Sequence, residues 1–208
     1  MGLFITFEGG EGVGKTTQAR LLIERLTGSG HSALGLREPG GTPLGDYLRE
    51  WLKSTHEPLT AEAELYLFVA ARAELVRTVI RPALDDGKVV VLDRYADSTT
   101  VYQGDARGLP AANVAAANEL ATSGLTPDLT LLLDSSPVEA LARAGERQDP
   151  AGQQRFESED GAFHQRVREG FLRLAKESPQ RWAVLRAGQG IDDISEQVWE
   201  RVAAVLTR

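Results

Sequence analysis

The sequence contains no cysteine among its 208 residues. That absence excludes a disulfide framework, a zinc site built on thiolates and catalysis by a cysteine nucleophile. Because a chain without cysteine needs no oxidising compartment, we expect a cytoplasmic protein.

Positive charge and long hydrophobic runs are also scarce. The 23 lysines and arginines are outnumbered by 30 acidic residues, which gives a formal net charge of −7. Proteins that bind nucleic acid through its phosphates normally carry a basic face, so we expect no nucleic-acid partner. No apolar stretch approaches the ~20 residues that a membrane span requires, and we expect no membrane association.

The chain alternates short apolar runs with longer segments of helical period, which is typical of a parallel sheet with helical crossovers. The predicted strands are Leu3–Glu8, Ala33–Arg37, Val89–Asp93, Leu129–Asp134 and Trp182–Arg186. The predicted helices are Lys15–Thr27, Leu44–Ser54, Ala61–Asp85, Pro110–Ser123, Pro137–Ala144, Asp160–Lys176 and Asp192–Leu206. With no linker or repeat to divide it, the sequence predicts one α/β domain over residues 1–208.

A phosphate-binding motif follows the first predicted strand directly. We call this motif the phosphate cradle. It reads Gly9-Gly10-Glu11-Gly12-Val13-Gly14-Lys15-Thr16, with Thr17 next, and matches G-x-x-x-x-G-K-[ST] in full. The glycines let backbone N–H groups turn towards phosphate oxygens at the start of a helix. Lys15 is then placed for the β- and γ-phosphates of ATP or GTP, and the Thr16 hydroxyl for Mg²⁺. A glycine-rich turn that binds nothing is the alternative, and the complete motif in its strand-to-helix context disfavours it.

Asp93 ends the third predicted strand, where proteins of this kind place a second metal-proximal acid. An acid at a strand end often serves only as a turn residue. Together with the cradle, Asp93 becomes the favoured second residue for Mg²⁺.

Three further segments carry a family resemblance that extends over nearly the whole chain. They are Phe7-Glu8-Gly9, Arg37-Glu38-Pro39-Gly40-Gly41-Thr42, and Asp93-Arg94-Tyr95-Ala96-Asp97-Ser98-Thr99-Thr100-Val101-Tyr102-Gln103-Gly104. In these segments the chain resembles thymidylate kinases. The resemblance implies a three-layer P-loop kinase fold, with a five-stranded parallel sheet flanked by helices and a short mobile lid.

The resemblance also implies roles on the side of the phosphate acceptor, thymidine 5′-monophosphate. Arg94 would bind its 5′-phosphate, for which a guanidinium fork is well suited. Phe68 would stack on the thymine and Arg72, four residues later, would bind its carbonyl edge. Tyr102 would lie against the deoxyribose and Glu11 near its 3′-hydroxyl. Further acceptor contacts are implied for Glu38, Ser98, Thr99 and Gln103.

The polar stretch around residues 145–155 has almost nothing to bury, so it predicts either a surface loop or a lid. The resemblance favours a lid over ATP at about residues 143–157, where Arg143 would bind the nucleotide and Arg147 and Arg155 would act in catalysis. The cradle itself has no basic residue before Lys15, as in the mainly bacterial form that carries its arginines in the lid. Which arginine is catalytic stays open, and surface ion pairs are the alternative role for each.

These observations predict a dTMP kinase that transfers the γ-phosphoryl group of ATP to thymidylate in deoxythymidine triphosphate synthesis. Family resemblance further implies a homodimer. A kinase for another small acceptor is the nearest alternative. An ATP-dependent switch is the alternative from a different class, but the sequence has no Asn-Lys pair of the kind that guanine-binding switches use.

Overall fold

The computed structural model describes residues 2–54, 58–145, 156 and 159–206. Its strands are β1 (Leu3–Glu8), β2 (Ala33–Arg37), β3 (Val89–Asp93), β4 (Leu129–Asp134) and β5 (Trp182–Arg186). Its α-helices are α1 (Lys15–Gly28), α2 (Pro43–Ser54), α3 (Ala61–Leu75), α4 (Arg81–Asp85), α5 (Ala96–Thr99), α6 (Ala111–Thr122), α7 (Pro137–Gly145), α8 (Gly161–Glu177) and α9 (Ile191–Leu206). Two π-helical segments are π1 (Val76–Ile80) and π2 (Thr100–Ala106).

The five strands form one parallel sheet in the order β2-β3-β1-β4-β5. The three central strands are almost entirely buried, as their nearly unbroken apolar sequences predict for strands covered on both faces. Register aligns Phe7 of β1 and Arg37 of β2 with Asp93 of β3. The residues that follow β1 and β3 therefore meet at one edge of the sheet, where ligands of such folds bind.

Helices cover both faces and create separate apolar clusters. One cluster joins α1 and α9 to the sheet around Leu22, Leu131 and Val198. Another packs α3, π1 and α4 onto β3 around Leu75, Ile80 and Val90. A third lies between π2 and α8 and contains Tyr102, Phe163 and Phe171. This third cluster fixes the helix that carries several predicted acceptor contacts.

The sequence-based strand predictions are confirmed at every strand, and each predicted helix has its counterpart within one residue at either end except one. The predicted helix Ala61–Asp85 is instead three consecutive segments, α3, π1 and α4. Pro82 lies in the first turn of α4 and has no N–H to donate, which is consistent with wider turns just before it.

The sequence analysis missed the helical stretch of α5 and π2 between Ala96 and Ala106. Its residues include Thr99, Thr100 and Val101, which are β-branched, and Gly104, so intrinsic helix propensity is low. Packing against α8, α6 and α3 supplies the stabilisation instead. Within the described residues, no helix is both long enough and apolar enough to cross a membrane.

Candidate active site

The phosphate cradle lies between β1 and α1, and its shape depends on glycine. Gly12 and Gly14 have φ values of 72° and 95°, in the left-handed region that other residues rarely adopt. A Cβ on Gly9 would lie 2.5 Å from the carbonyl oxygen of Leu133, so the loop passes directly over β4. The side chain of Val13 points away into the core, so only its backbone is available to a ligand. Thr17 lies in the first turn of α1.

Lys15 is folded back over the cradle. Its Nζ donates to the carbonyl oxygens of Gly9 at 3.0 Å and Gly10 at 2.6 Å. Burial, followed by the nearby charge of Arg94, lowers the pKa of Lys15 to about 8, while Glu11 and Asp93 oppose this shift. Phosphate oxygens could replace the carbonyls as partners and would favour the charged form of Lys15.

The two predicted metal residues lie together. The Thr16 hydroxyl donates to Oδ2 of Asp93 at 2.6 Å, which joins the start of α1 to the end of β3. Hard oxygen ligands of this kind suit Mg²⁺, which typically takes one or two protein oxygens and completes its shell with phosphates and water. The described residues contain no cluster of three or more acidic or histidine side chains that could hold a metal without a substrate.

Arg94 lies between the cradle and the helical stretch of α5 and π2, which is called the acceptor helix because it carries several predicted acceptor contacts. Its Nη2 donates to Oε1 of Glu11 at 2.7 Å, and its Nη1 lies 3.3 Å from both the Gly9 carbonyl and the Ser98 hydroxyl. The guanidinium carbon is 5.0 Å from the centre of the Tyr102 ring, whose hydroxyl also donates to Oε1 of Glu11 at 2.9 Å. Glu11 is thus the shared acceptor of a guanidinium and a phenol.

The charges in this group depend on one another. Burial alone would raise the pKa of Glu11, but Arg94, Lys15 and the Tyr102 hydroxyl outweigh burial and lower it. Burial opposes the charge of Arg94, yet Glu11 raises the pKa of Arg94 overall. The site therefore keeps a carboxylate and a guanidinium charged in a water-poor environment.

Glu8, just before the cradle, is a fully buried acid that the sequence analysis did not assign to the site. Its carboxylate accepts from the Ser98 hydroxyl at 2.6 Å and from the backbone N–H of Tyr95 at 2.9 Å. Burial, with help from the charge of Asp97, raises its pKa to about 8, against the opposing effect of Arg94. Glu8 ties the end of β1 to the segment after β3.

Arg72 is fully buried, and all five N–H groups of its guanidinium donate hydrogen bonds to other residues of the protein. Nε and Nη2 donate to Oε2 of Glu38 at 2.9 and 2.6 Å, and Nη2 also donates to the Tyr95 carbonyl. Nη1 donates to Thr99 and to Asn118, each at 2.9 Å. A thymine carbonyl would therefore have to share or replace one of these acceptors.

Asn118 was not identified from the sequence. It lies in α6, where Nδ2 donates to the Ala96 carbonyl and the Thr100 hydroxyl while the side-chain oxygen accepts from Arg72. The sequence offers only an asparagine after three alanines, Ala115-Ala116-Ala117, and this pattern does not indicate a site.

One pocket gathers all of the predicted acceptor residues except Glu11, which lies in the cradle. It has an empty volume of about 270 Å³ and is lined by Glu38, Phe68, Arg72, Arg94, Ser98, Thr99, Tyr102, Gln103 and Phe156. Gln103 donates through Nε2 to Glu64 at 2.9 Å. Among the described residues, Oε1 of Glu38 is buried without a hydrogen-bond partner. A donor on an acceptor molecule could satisfy it.

The predicted lid residues are only partly described. The side chain of Arg143 extends to Ser135, which follows β4 near the cradle. Its Nη2 donates to the Ser135 hydroxyl at 2.8 Å. Arg147 and Arg155 lie outside the described residues, so their catalytic roles stay predictions, as does the extent of the lid.

The chain matches known proteins over nearly its full length. A family model described as thymidylate kinase matches residues 7–198. A thymidylate kinase of Thermomicrobium roseum is 48% identical over 208 residues, covering 100% of this chain and 98% of the relative. One of Geotalea uraniireducens is 45% identical, with 100% and 98% covered. The crystal structure of thymidylate kinase from Ehrlichia chaffeensis superposes with a TM-score of 0.77 at 32% identity, covering 97% of this chain and 98% of that one.

Proposed function

Since this chain belongs to the thymidylate kinase family, we infer that it transfers the γ-phosphoryl group of ATP to thymidine 5′-monophosphate. The products are ADP and thymidine diphosphate, and the reaction is a step in deoxythymidine triphosphate synthesis. The structural observation that carries this inference is Arg94, whose guanidinium lies between the phosphate cradle and the pocket of acceptor residues. A cation there can bind the acceptor phosphate next to the donor phosphates.

On the donor side, we propose that the backbone N–H groups of residues 9–16 and the ammonium of Lys15 bind the ATP phosphates. Thr16 and Asp93 would hold Mg²⁺, which when bound supplies positive charge to the β- and γ-phosphates. Lys15 exchanges its carbonyl partners for phosphate oxygens and so stabilises the charge that develops during transfer.

On the acceptor side, Arg94 would orient the 5′-phosphate for in-line attack. That phosphate is already ionised near neutral pH, so no strong general base is required and positioning supplies most of the rate. Glu11, held by Arg94 and Tyr102, presents its carboxylate to the sugar hydroxyl. Phe68 provides the aromatic face for the thymine. The unpaired Oε1 of Glu38 offers an acceptor to a base N–H.

Two broader assignments also remain proposals. We propose a homodimer, because Tyr66 of α3 and Leu120 of α6 are 66% and 81% exposed on two helices that pack together. We also propose a cytoplasmic location, which a chain without cysteine suits.

The first test measures ADP release with ATP and Mg²⁺ while single acceptors are added: thymidylate, deoxyuridylate, purine nucleoside monophosphates and thymidine. We expect strong stimulation by thymidylate. In Arg94→Ala, kcat/KM for thymidylate should fall at least ~100-fold, because the mutation removes a phosphate-binding cation from the transition state.

The matched control is Arg20→Ala, since Arg20 is exposed on α1 and pairs only with Glu24 among the described contacts. This variant should retain wild-type rates. Stimulation by a different acceptor would overturn the acceptor assignment, and acceptor-independent hydrolysis would favour an ATPase switch.

A further inference from the structure

Phe156 lies at the acceptor pocket, although the sequence places it at the end of the predicted lid. Its ring centre is 6.1 Å from that of Phe68, with the planes 24° apart, and 4.7 Å from that of Tyr102. Both distances lie in the range of favourable aromatic contacts. Phe156 therefore touches the predicted thymine-stacking residue and the predicted sugar-side residue at once.

Phe156 is held on its other side by α8 and π2. Phe163 stacks on it with ring centres 6.1 Å apart and planes only 11° apart. Arg107, just beyond π2, has its guanidinium carbon 5.8 Å from the Phe156 ring centre and 4.8 Å from that of Phe163. The ring is thus sandwiched between the pocket wall and a packed cation–aromatic pair.

One ion pair and one backbone hydrogen bond link Arg107, Glu159 and Phe156. Arg107 Nη2 lies 2.7 Å from Oε1 of Glu159, and the N–H of Glu159 donates to the Phe156 carbonyl at 3.2 Å. Arg107 Nε also donates to Oε1 of Glu64 at 3.2 Å, the same oxygen that accepts from Gln103. The Arg107 guanidinium therefore contacts Glu159, which is hydrogen-bonded to Phe156. It also contacts Glu64 of α3, which accepts from the pocket residue Gln103.

We propose that Phe156 is a further acceptor-binding and specificity-determining residue, with Arg107 as the residue that positions it. Phe156 contacts the pyrimidine nucleotide beside the Phe68 ring, and its bulk limits entry of two-ring purine bases. Phe156 is one of the residues that line the pocket, so its phenyl ring occupies space that a larger base would need. This proposal rests on the acceptor function proposed above.

Phe156→Ala should be compared with wild type in steady-state kinetics, with thymidylate varied at saturating ATP and then ATP varied at saturating thymidylate. We expect KM for thymidylate to rise about tenfold, as for loss of one buried aromatic contact, with kcat within about threefold. KM for ATP should stay within about twofold. The kcat/KM ratio of deoxyguanylate to thymidylate should rise about tenfold.

Arg107→Gln should raise KM for thymidylate in the same direction, and Arg107→Lys should restore part of the loss, because an ammonium can still pair with Glu159. The matched control is Arg173→Gln. Arg173 also bridges α8 to π2 through Asp105, and among the described residues its ion-pair partners are Asp105 and Glu177. This control should leave both KM values unchanged.

An unchanged KM for thymidylate and unchanged purine discrimination in Phe156→Ala would overturn the proposal. So would an equal rise in both KM values accompanied by a lower Tm, because that result would mean Phe156 serves packing only. A wild-type protein that does not respond to thymidylate would instead refute the proposed function, so the two failures are distinguishable.

Discussion

Arg94 has a backbone conformation that is uncommon for a residue with a side chain. Its φ of 71° lies in the left-handed region, which typically costs such a residue of order 1 kcal/mol or more. Its N–H donates to the Phe7 carbonyl at 3.0 Å, and Glu8 accepts from the next N–H along. The surrounding hydrogen bonds thus impose the geometry that points the guanidinium between the cradle and the acceptor pocket.

Glu8 should make stability depend on pH. Its folded pKa, raised to about 8 chiefly by burial, lies above the ordinary 4.5, so the folded state binds a proton that the unfolded state has lost. Stability from this group should therefore fall as pH rises from about 4.5 to about 8. Glu8→Gln removes this titration while keeping a group that can bond Ser98 and Tyr95.

The measurement is denaturant unfolding of wild type and Glu8→Gln at pH 5.5, 6.5, 7.5 and 8.5. The free energy of unfolding of the variant minus that of wild type should grow with pH, by ~1 kcal/mol or more over this range. Because other titrating groups cancel in the difference, a constant difference would show that Glu8 is ionised throughout.

Asn118 tests the buried network around Arg72. Asn118→Ala leaves Nη1 of Arg72 with one acceptor fewer and removes two donors, so the free energy of unfolding should fall by ~1–3 kcal/mol. Because Arg72 and Thr99 line the acceptor pocket, KM for thymidylate should rise as well. Asn113→Ala is the control, since Asn113 is exposed on the same helix. If both variants behaved alike, the network would contribute no net stability.

At the scale of elements, the contact between α8 and π2 positions the acceptor helix. A Cβ on Gly170 of α8 would meet Oδ2 of Asp105 at 2.5 Å and the methyl groups of Val101 at 3.1 and 3.2 Å. Glycine therefore allows the close approach that places Tyr102 and Gln103 at the pocket. Asp160 caps the start of α8 by accepting from the Phe163 N–H at 2.7 Å, which fixes where the helix begins.

Gly170→Ala should push α8 away from π2 and lower the free energy of unfolding by ~1–3 kcal/mol, as overpacking does. The methyl groups of Val101 cannot retreat far, because Val101 is fully buried. Gly161→Ala, in the first turn of the same helix with open space around its Cβ, should be neutral or slightly stabilising. Thermal denaturation of both variants checks this, and equal Tm values would contradict the argument from close packing.

At the scale of the whole molecule, the order of the sheet decides which loops can act together. β1 pairs with both β3 and β4, so the cradle after β1 adjoins Asp93 and Arg94 after β3. The helices α3 and α6 pack together on the outside and carry exposed apolar side chains. The donor site is thus built at the centre of the sheet, and the proposed dimer face lies at its periphery.

The proposed homodimer predicts a solution mass twice that of the chain. Tyr66→Glu and Leu120→Glu should each shift the mass towards that of a monomer, because a charge at an apolar interface is costly to bury. Val138→Glu is the control, since Val138 is 81% exposed on α7, outside that face. Sedimentation equilibrium provides the measurement, and a monomeric wild-type protein would refute the proposal.

The strands, the cradle and the family can all be recognised in the sequence. Each of these is a local pattern, such as an apolar run of five or six residues or a motif of consecutive residues, and local patterns can be read without knowing the fold. The chemistry of the cradle follows from residue types at fixed spacing, so the sequence is sufficient to identify Lys15 and Thr16.

The acceptor pocket, in contrast, depends on tertiary contacts that the sequence does not reveal. Arg72 meets Glu38, Thr99 and Asn118 across 34, 27 and 46 residues of sequence, and no local pattern encodes which side chains will share one guanidinium. The helical stretch from Ala96 to Ala106 is likewise stabilised by its neighbours against weak local propensity. Phe156 belongs to the pocket for the same reason: contacts between distant segments, formed only when the sheet and helices pack, place it there.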